Sequence, residues 1–206
     1  MKPELTIVLP HKRNPGNDAA LQICLDMLQA NTVSDFILLL DAAENEPLYP
    51  RVNRLFDIAP TDICVYTASD MFFAPGWDIA MLAVYERDIL VTNTVVEPGA
   101  IAMYGGNHQK DFGRTPETFD RAAFETWCAD GGHNAGGDPW YAPYLISKAG
   151  FWEMGGLNED SNQGFSASDV ALFRAWKETG HRVVRAQNSW VYHLQRYSDP
   201  AEQAKR

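Results

Sequence analysis

Several things are scarce in this 206-residue sequence, and each shortage closes off a class of function. Cysteine occurs three times, at Cys24, Cys64 and Cys128. An odd number at such wide spacing makes neither a disulfide framework nor a zinc pattern, so these read as reduced packing residues of a cytoplasmic protein. Positive charge is short as well: 17 Lys and Arg stand against 27 Asp and Glu, for a formal net charge of −10. Tracking a nucleic-acid backbone needs clustered cations that displace counterions, so that role is disfavoured. An acidic balance suits a site that recruits a cation. No apolar run approaches the ~20 residues of a membrane span, and the start Met1-Lys2-Pro3-Glu4-Leu5 has no signal-peptide core. The G-x-G-x-x-G and Walker A patterns are missing, which removes the usual dinucleotide and P-loop sites. Internal repeats, linkers and low-complexity tracts are absent too, and the length fits one domain.

What is present alternates between strands and helices. Leu5 to Leu9 is a β-branched apolar run closed by Pro10, a buried first strand. A polar loop, His11 to Asn17, precedes a helix that Asn17 or Asp18 can cap, with Leu21, Cys24, Leu25 and Leu28 at helical spacing. Asp35 to Asp41 is a second strand, apolar almost throughout, as expected when helices cover both faces of a parallel sheet. A helix falls between Glu46 and Pro60, a third strand over Ile63 to Thr67, and another helix over Trp77 to Glu86. After a strand at Asp88 to Thr92 the pattern lapses. From Val95 to Trp140 Gly, Pro, Asn, Asp and His dominate, with one helical stretch from Pro116 to Cys128 behind a Thr115 cap. Long irregular insertions of this kind are usually functional or mobile. Tyr144 to Ile146 reads as a short strand and Ala149 to Met154 as a short helix. A last helix opens at Ser166, turning Val170, Phe173 and Trp176 inward, and two late strands cover Arg182 to Arg185 and Ser189 to His193.

A few side chains are candidates for chemistry, each with a plainer alternative. Asp70 stands beyond the third strand, where ligands of open α/β sheets gather. A carboxylate there can hold a hard divalent cation, and through it a diphosphate; it can equally be a turn residue or helix cap. Asp169 follows Ser166 at capping-box spacing, where an acid complements the helix dipole. His193 ends an apolar strand as either a hydrogen-bonded core residue or a metal ligand. Trp140 and Tyr141 can stack on a sugar ring or be buried.

Order and spacing across most of the chain resemble the inverting family-2 glycosyltransferases of the GT-A type. Thr6-Ile7-Val8-Leu9-Pro10 is similar to that family's first strand, and Ile37-Leu38-Leu39-Leu40-Asp41 to its second. Ser69-Asp70, trailed by Pro75-Gly76-Trp77, resembles its D-x-D segment and following P-G-W. Tyr144 to Glu159 resembles the segment leading to G-G-F-D-E, Gly164 to Leu172 the G-F-x-x-E-D-x-D-L stretch, and Val191-Tyr192-His193 a closing strand. The resemblance implies an α/β GT-A fold with a Rossmann-like, mostly parallel sheet flanked by helices. It divides the chain into a nucleotide-sugar half (1–92), an irregular insertion (93–142), an acceptor and catalytic half (143–194) and a polar tail (195–206).

It also implies a function: transfer of a sugar from a nucleotide-diphosphate donor to an acceptor hydroxyl by inverting displacement, assisted by Mn²⁺ or Mg²⁺. Asp70 and His193 would then hold the metal. Pro10, His11, Asn14, Asp41, Asn53, Ser69 and Asp70 would meet the donor, with Trp140 also in contact with substrate, and Asp169 would be the catalytic base. A helix N-terminus lowers a carboxylate's pKa, which would keep that base ionised. The short length leaves room for a homo-oligomer. Four positions depart from the pattern: Ala68 replaces the first D-x-D acid, Ser168 the Glu of E-D, Ala171 its second Asp, and Val52 takes the Arg place of an Arg-Asn pair, with Arg51 one residue early. Those changes leave open a nucleotide-sugar-binding protein without transferase activity. Some short relatives glycosylate modified DNA bases, an acceptor the charge disfavours.

Overall fold

A computed structural model describes residues 4–98, 108–132, 142–160 and 167–194. Alternation of apolar side chains builds the sheet. In β1 (Glu4–Lys12), Leu5, Ile7 and Leu9 enter one core and Val8 the other, the period-2 arrangement of a strand covered on both faces. β1 pairs in parallel with β2 (Asp35–Ala43) and with β3 (Ile63–Tyr66). The sheet continues through β7 (Tyr144–Ser147), antiparallel both to β3 and to β5 (Ile89–Glu97). β5 runs parallel to β8 (Arg182–His193), whose far end pairs antiparallel with β4 (Met71–Phe73). The described residues thus form one eight-stranded sheet in the order β2-β1-β3-β7-β5-β8-β4, with β6 (His108–Gln109) attached to β5.

Helices cover the two faces. On one side lie α1 (Pro15–Asn31), α3 (Trp77–Leu82) and α4 (Arg121–Ala129), which contribute Cys24, Leu28, Trp77 and Phe124 to a core with Leu5, Ile7 and Val65. On the other lie α2 (Leu48–Ile58), α5 (Lys148–Glu153) and α6 (Ala167–Glu178), with Val52, Phe56, Phe151, Phe173 and Trp176 packed on Val8, Cys64 and Tyr66. Each such side chain contributes about 1.5–3 kcal/mol when fully buried. This three-layer arrangement is the expected α/β architecture. No helix among the described residues is long and apolar enough to cross a membrane.

Several boundaries differ from the sequence expectation. α1 begins at Pro15, not behind Asn17 or Asp18: Asn14 is the cap and accepts from the Asn17 amide at 2.9 Å, and Pro15 supplies the preset φ of a first helical residue. Its fully buried residues are Ala20, Cys24, Met27, Leu28 and Asn31, while Leu21 and Leu25 are half-buried. The second strand is an edge strand, so it lacks full cover, and Leu40 stays 41% exposed. The helix after Trp77 stops at Leu82. Pro116 to Cys128 divides into a 3₁₀ turn behind Thr115 and a separate helix capped by Asp120. The two late strands are one, and the strand expected at Asp88 to Thr92 runs on to Glu97, into what reads as irregular insertion. Trp140 and Tyr141 lie outside the described residues.

Candidate functional site

The turn between β3 and β4 sets the site. Thr67 N–H donates to Val8 at 3.0 Å, and Met71 N–H to Ala68 at 3.3 Å, so the chain reverses tightly at Ala68-Ser69-Asp70 and enters β4. There Met71 pairs with His193 of β8, and Leu194 N–H donates to the Asp70 carbonyl at 3.1 Å. The fold therefore brings Asp70 and His193 side by side, with His193 Nε2 3.4 Å from Asp70 Oδ2. His193 Nδ1 meets a third group, Glu97 at the end of β5, with 3.0 Å to Oε1. Burial would lower the His193 pKa, but Asp70 and Glu97 on either side raise it to about 10. Burial opposes ionisation of Asp70 too, yet His193 outweighs it and holds Asp70 below the ordinary carboxylate value.

Asp169 lies in the first turn of α6 and is 8% exposed. Here the expectation of a lowered pKa fails. Burial dominates, pushing the carboxyl up to about 7, because desolvation of a charge outweighs the field of a helix end. Its Oδ1 has no hydrogen-bond partner among the described residues, and neither has the buried hydroxyl of Tyr144. Tyr66, at the end of β3, is buried. Its phenol pKa is raised first by burial and then by Asp169, Tyr49 and Asp70, so both carboxylates act on one ring.

On the side of β1, His11 is buried and uses both ring nitrogens: Nδ1 is 3.0 Å from Ser69 Oγ and Nε2 is 2.7 Å from Asp18 Oδ1. With Nε2–H donated to Asp18, the other ring nitrogen accepts from the Ser69 hydroxyl. Pro10 sits opposite Asp41 in the β1–β2 register. Asp41 is held by Arg54, 2.5 Å from Oδ2, and by Arg51, 3.3 Å from Oδ1. Arg51 is itself buried and also donates to the carbonyls of His11 and Asp41.

Two residues expected at the donor also make contacts within the fold. Asn14 turns its oxygen to the start of α1. Asn53 binds the Leu157 amide and carbonyl at 2.9 and 2.8 Å, and Glu159 at 2.8 Å, fastening the Gly155–Glu159 segment, with which it lines a cavity. Asp18 and Glu97 were not legible as members of the candidate site. Only the β-branched run Val91-Thr92-Asn93-Thr94-Val95-Val96 hinted that the strand continues as far as Glu97.

The donors at Asp70 and His193 suit a divalent cation. Carboxylate oxygen and imidazole nitrogen are both ligands of Mn²⁺. Their 3.4 Å separation is near the roughly 3 Å between neighbouring ligands of an octahedral ion with bonds of about 2.1 Å. Among the described residues no group of three His, Cys, Asp or Glu is placed to hold a metal, so the remaining positions would fall to a diphosphate and water, the usual mode for Mg²⁺.

No protein-family model matches the sequence, and no curated protein matches it. The fold has solved counterparts. The catalytic domain of Drosophila β1,4-galactosyltransferase 7, solved with xylobiose, superposes with a TM-score of 0.54 at 14% identity, over 90% of this chain and 65% of that one. GalNAc-T7, solved with UDP, GalNAc and Mn²⁺, gives 0.60 at 11% identity, over 94% of this chain and 43% of that one. A mutant of the Drosophila enzyme, solved with manganese, UDP-Gal and xylobiose, gives 0.56 at 13% identity over 99% of this chain and 80% of that one. This chain thus spans less than two thirds of the first two. At this level of identity the likeness is one of fold, and the fold is that of the GT-A glycosyltransferases.

Proposed function

We propose that this chain transfers a glycosyl group from a nucleotide-diphosphate donor to an acceptor hydroxyl, with inversion, in the manner of the family-2 transferases. The reading is carried by Asp70 and His193 standing side by side, 3.4 Å apart, with a second buried carboxyl, Asp169, in the first turn of α6, whose Oδ1 has no hydrogen-bond partner among the described residues. Groups whose environments drive their pKa values apart divide the work of a reaction between them. A general base is most effective when its pKa lies near the working pH, and Asp169 meets that condition.

Pro10, His11, Asn14, Asp41, Asn53, Ser69 and Asp70 would bind the donor, with Ser69 Oγ, hydrogen-bonded to His11, accepting from a donor hydroxyl. Asp169 takes the proton of the acceptor hydroxyl as its oxygen bonds to the anomeric carbon. The bond from that carbon to the phosphate oxygen breaks on the opposite face, and its electron pair leaves with the nucleoside diphosphate. Mn²⁺ or Mg²⁺, held by Asp70 and His193, would supply positive charge against the departing diphosphate. The neighbours solved with Mn²⁺, UDP and UDP-Gal make this chemistry a reasonable property of the fold.

Incubation with Mn²⁺, a panel of nucleotide sugars and pooled sugar acceptors tests the reading through release of nucleoside diphosphate. Asp169→Asn should slow release by roughly 10²–10⁴-fold, the usual share of a general base, and leave donor binding intact. A second reading, a nucleotide-sugar-binding protein, draws on Ala68, which packs against the core where a further acid would be expected. Donor binding without release to any acceptor would select it. A modified DNA base is the less favoured acceptor, given the net charge of −10.

A further inference from the structure

Glu97 belongs to none of the motifs used above. It closes β5, is 1% exposed, and follows Val96, which pairs with Tyr192. That register sets Glu97 beside His193, and the pairing of Met71 with His193 sets Asp70 on the other flank. Three neighbouring segments thereby lay Glu97, His193 and Asp70 in a row. The imidazole gives one nitrogen to each neighbour, Nδ1 at 3.0 Å from Glu97 Oε1 and Nε2 at 3.4 Å from Asp70 Oδ2. The second Glu97 oxygen, Oε2, has no hydrogen-bond partner among the described residues. A buried carboxylate with an orphaned oxygen is unfavourable, and the other residues of β5 are neutral, Ile89-Leu90-Val91-Thr92-Asn93-Thr94-Val95-Val96. The side-chain contact that Glu97 makes is with His193.

We propose that Glu97 is a positioning residue for metal binding, fixing the His193 ring so that Nδ1–H donates to Glu97 and the Nε2 lone pair faces the cation shared with Asp70. The inference rests on the metal-assisted reading above. Two physical effects stand behind it. A ring locked by a buried carboxylate loses no rotamer freedom when an ion arrives, and an imidazole that donates to a carboxylate is a more basic ligand. The two-donor protein site leaves little else to hold the ion, so orientation of each donor counts.

The experiment is Mn²⁺ binding to the full chain, read from the electron paramagnetic resonance signal of the free ion. Glu97→Ala should weaken binding by about 10- to 100-fold, the usual effect of removing a carboxylate behind a ligating histidine, with an unchanged circular dichroism spectrum. Glu97→Gln fills the same volume and still accepts from Nδ1–H, so it should fall between Ala and the parent, and it serves if the Ala variant does not fold. In a His193→Ala background Glu97→Gln should have no further effect. Parent-like Mn²⁺ affinity in both Glu97 variants would overturn the inference alone, as would an equal loss from Glu97→Gln with and without His193. Failure of the parent chain to bind Mn²⁺ would overturn the metal-assisted reading together with the inference.

Discussion

Replacing Asp169 by Asn should make the protein more stable as it makes it inactive, and the gain should depend on pH in a defined way. In the unfolded chain this carboxyl titrates near 3.8, whereas burial in the fold raises it to about 7. Between those values the folded state keeps a proton that the unfolded state has released, so stability is intact below about pH 3.8 and declines as pH rises. By the time the folded carboxyl ionises, near pH 7, the loss amounts to about 4 kcal/mol. Asn has nearly the same shape and does not titrate. The stability difference between variant and parent should therefore open from pH 4, widen to about 4 kcal/mol by pH 7, and stay level above it. For a chain of this length 1 kcal/mol moves Tm by roughly 2–4 °C, so the gap at pH 8 should be about 8–16 °C. Urea or thermal unfolding of both proteins from pH 4 to 9 measures it, and contributions from the other titrating groups cancel in the difference. A gap that is flat with pH, or that narrows towards alkaline pH, would refute the argument that Asp169 ionises in a desolvated site.

The same group sets the rate profile: kcat/KM should rise with pH through an apparent pKa of about 7 and level off above it, and a profile flat from pH 5 to 9 would contradict Asp169 as the base. Asp70→Ala should abolish the Mn²⁺-dependent part of the stabilisation by a nucleoside diphosphate, which is about 2.7 kcal/mol at 100 times the dissociation constant; equal thermal shifts in variant and parent would count against it. Asp78, fully buried, accepts from the amides of Val33 and Ser34 at 3.2 and 2.7 Å. Asp78→Ala should cost about 2–3 kcal/mol in urea unfolding by leaving those amides without their acceptor, and a loss below about 0.5 kcal/mol would show that water replaces it. Gly150→Ala would place a Cβ 2.7 Å from the Trp176 ring and 2.8 Å from Ser147 Oγ, for a loss of about 1–3 kcal/mol; an unchanged Tm would mean that α5 shifts freely.

The first half of the sheet was legible because its signals are local. β1, β2 and β3 are apolar, β-branched runs bounded by proline or polar turns, and α1 carries Cys24 and Leu28 at helical spacing. β4 was not. Three residues, Met71–Phe73, show no period, and they form a strand only because β8 lies alongside. Glu97 was lost to a boundary, since the Pro-Gly and Gly-rich sequence after it reads as the start of an insertion although the backbone pairs up to Glu97 itself. The contact of His11 with Ser69 spans 58 residues and leaves no local trace. Asp70 was legible from its place beyond the third strand, and its partnership with His193 came through the resemblance, which carries the topology that brings them together. For Asp169 the sequence located the residue but misjudged its ionisation, because a capping motif announces a helix end and says nothing of how much water remains there.

The place of β8 in the sheet also bears on how the protein is made. Strands β1 to β3 leave the ribosome early and can pair with one another at once, as the leading parts of a nascent chain commonly do. Residues 71–73 must wait for residues 191–193 to emerge, and until then Asp70 and Glu97 are ordinary hydrated acids on separate pieces of chain. The candidate site is therefore incomplete until β8 has emerged, and a chain released before that point would lack the partner that His193 provides for Asp70.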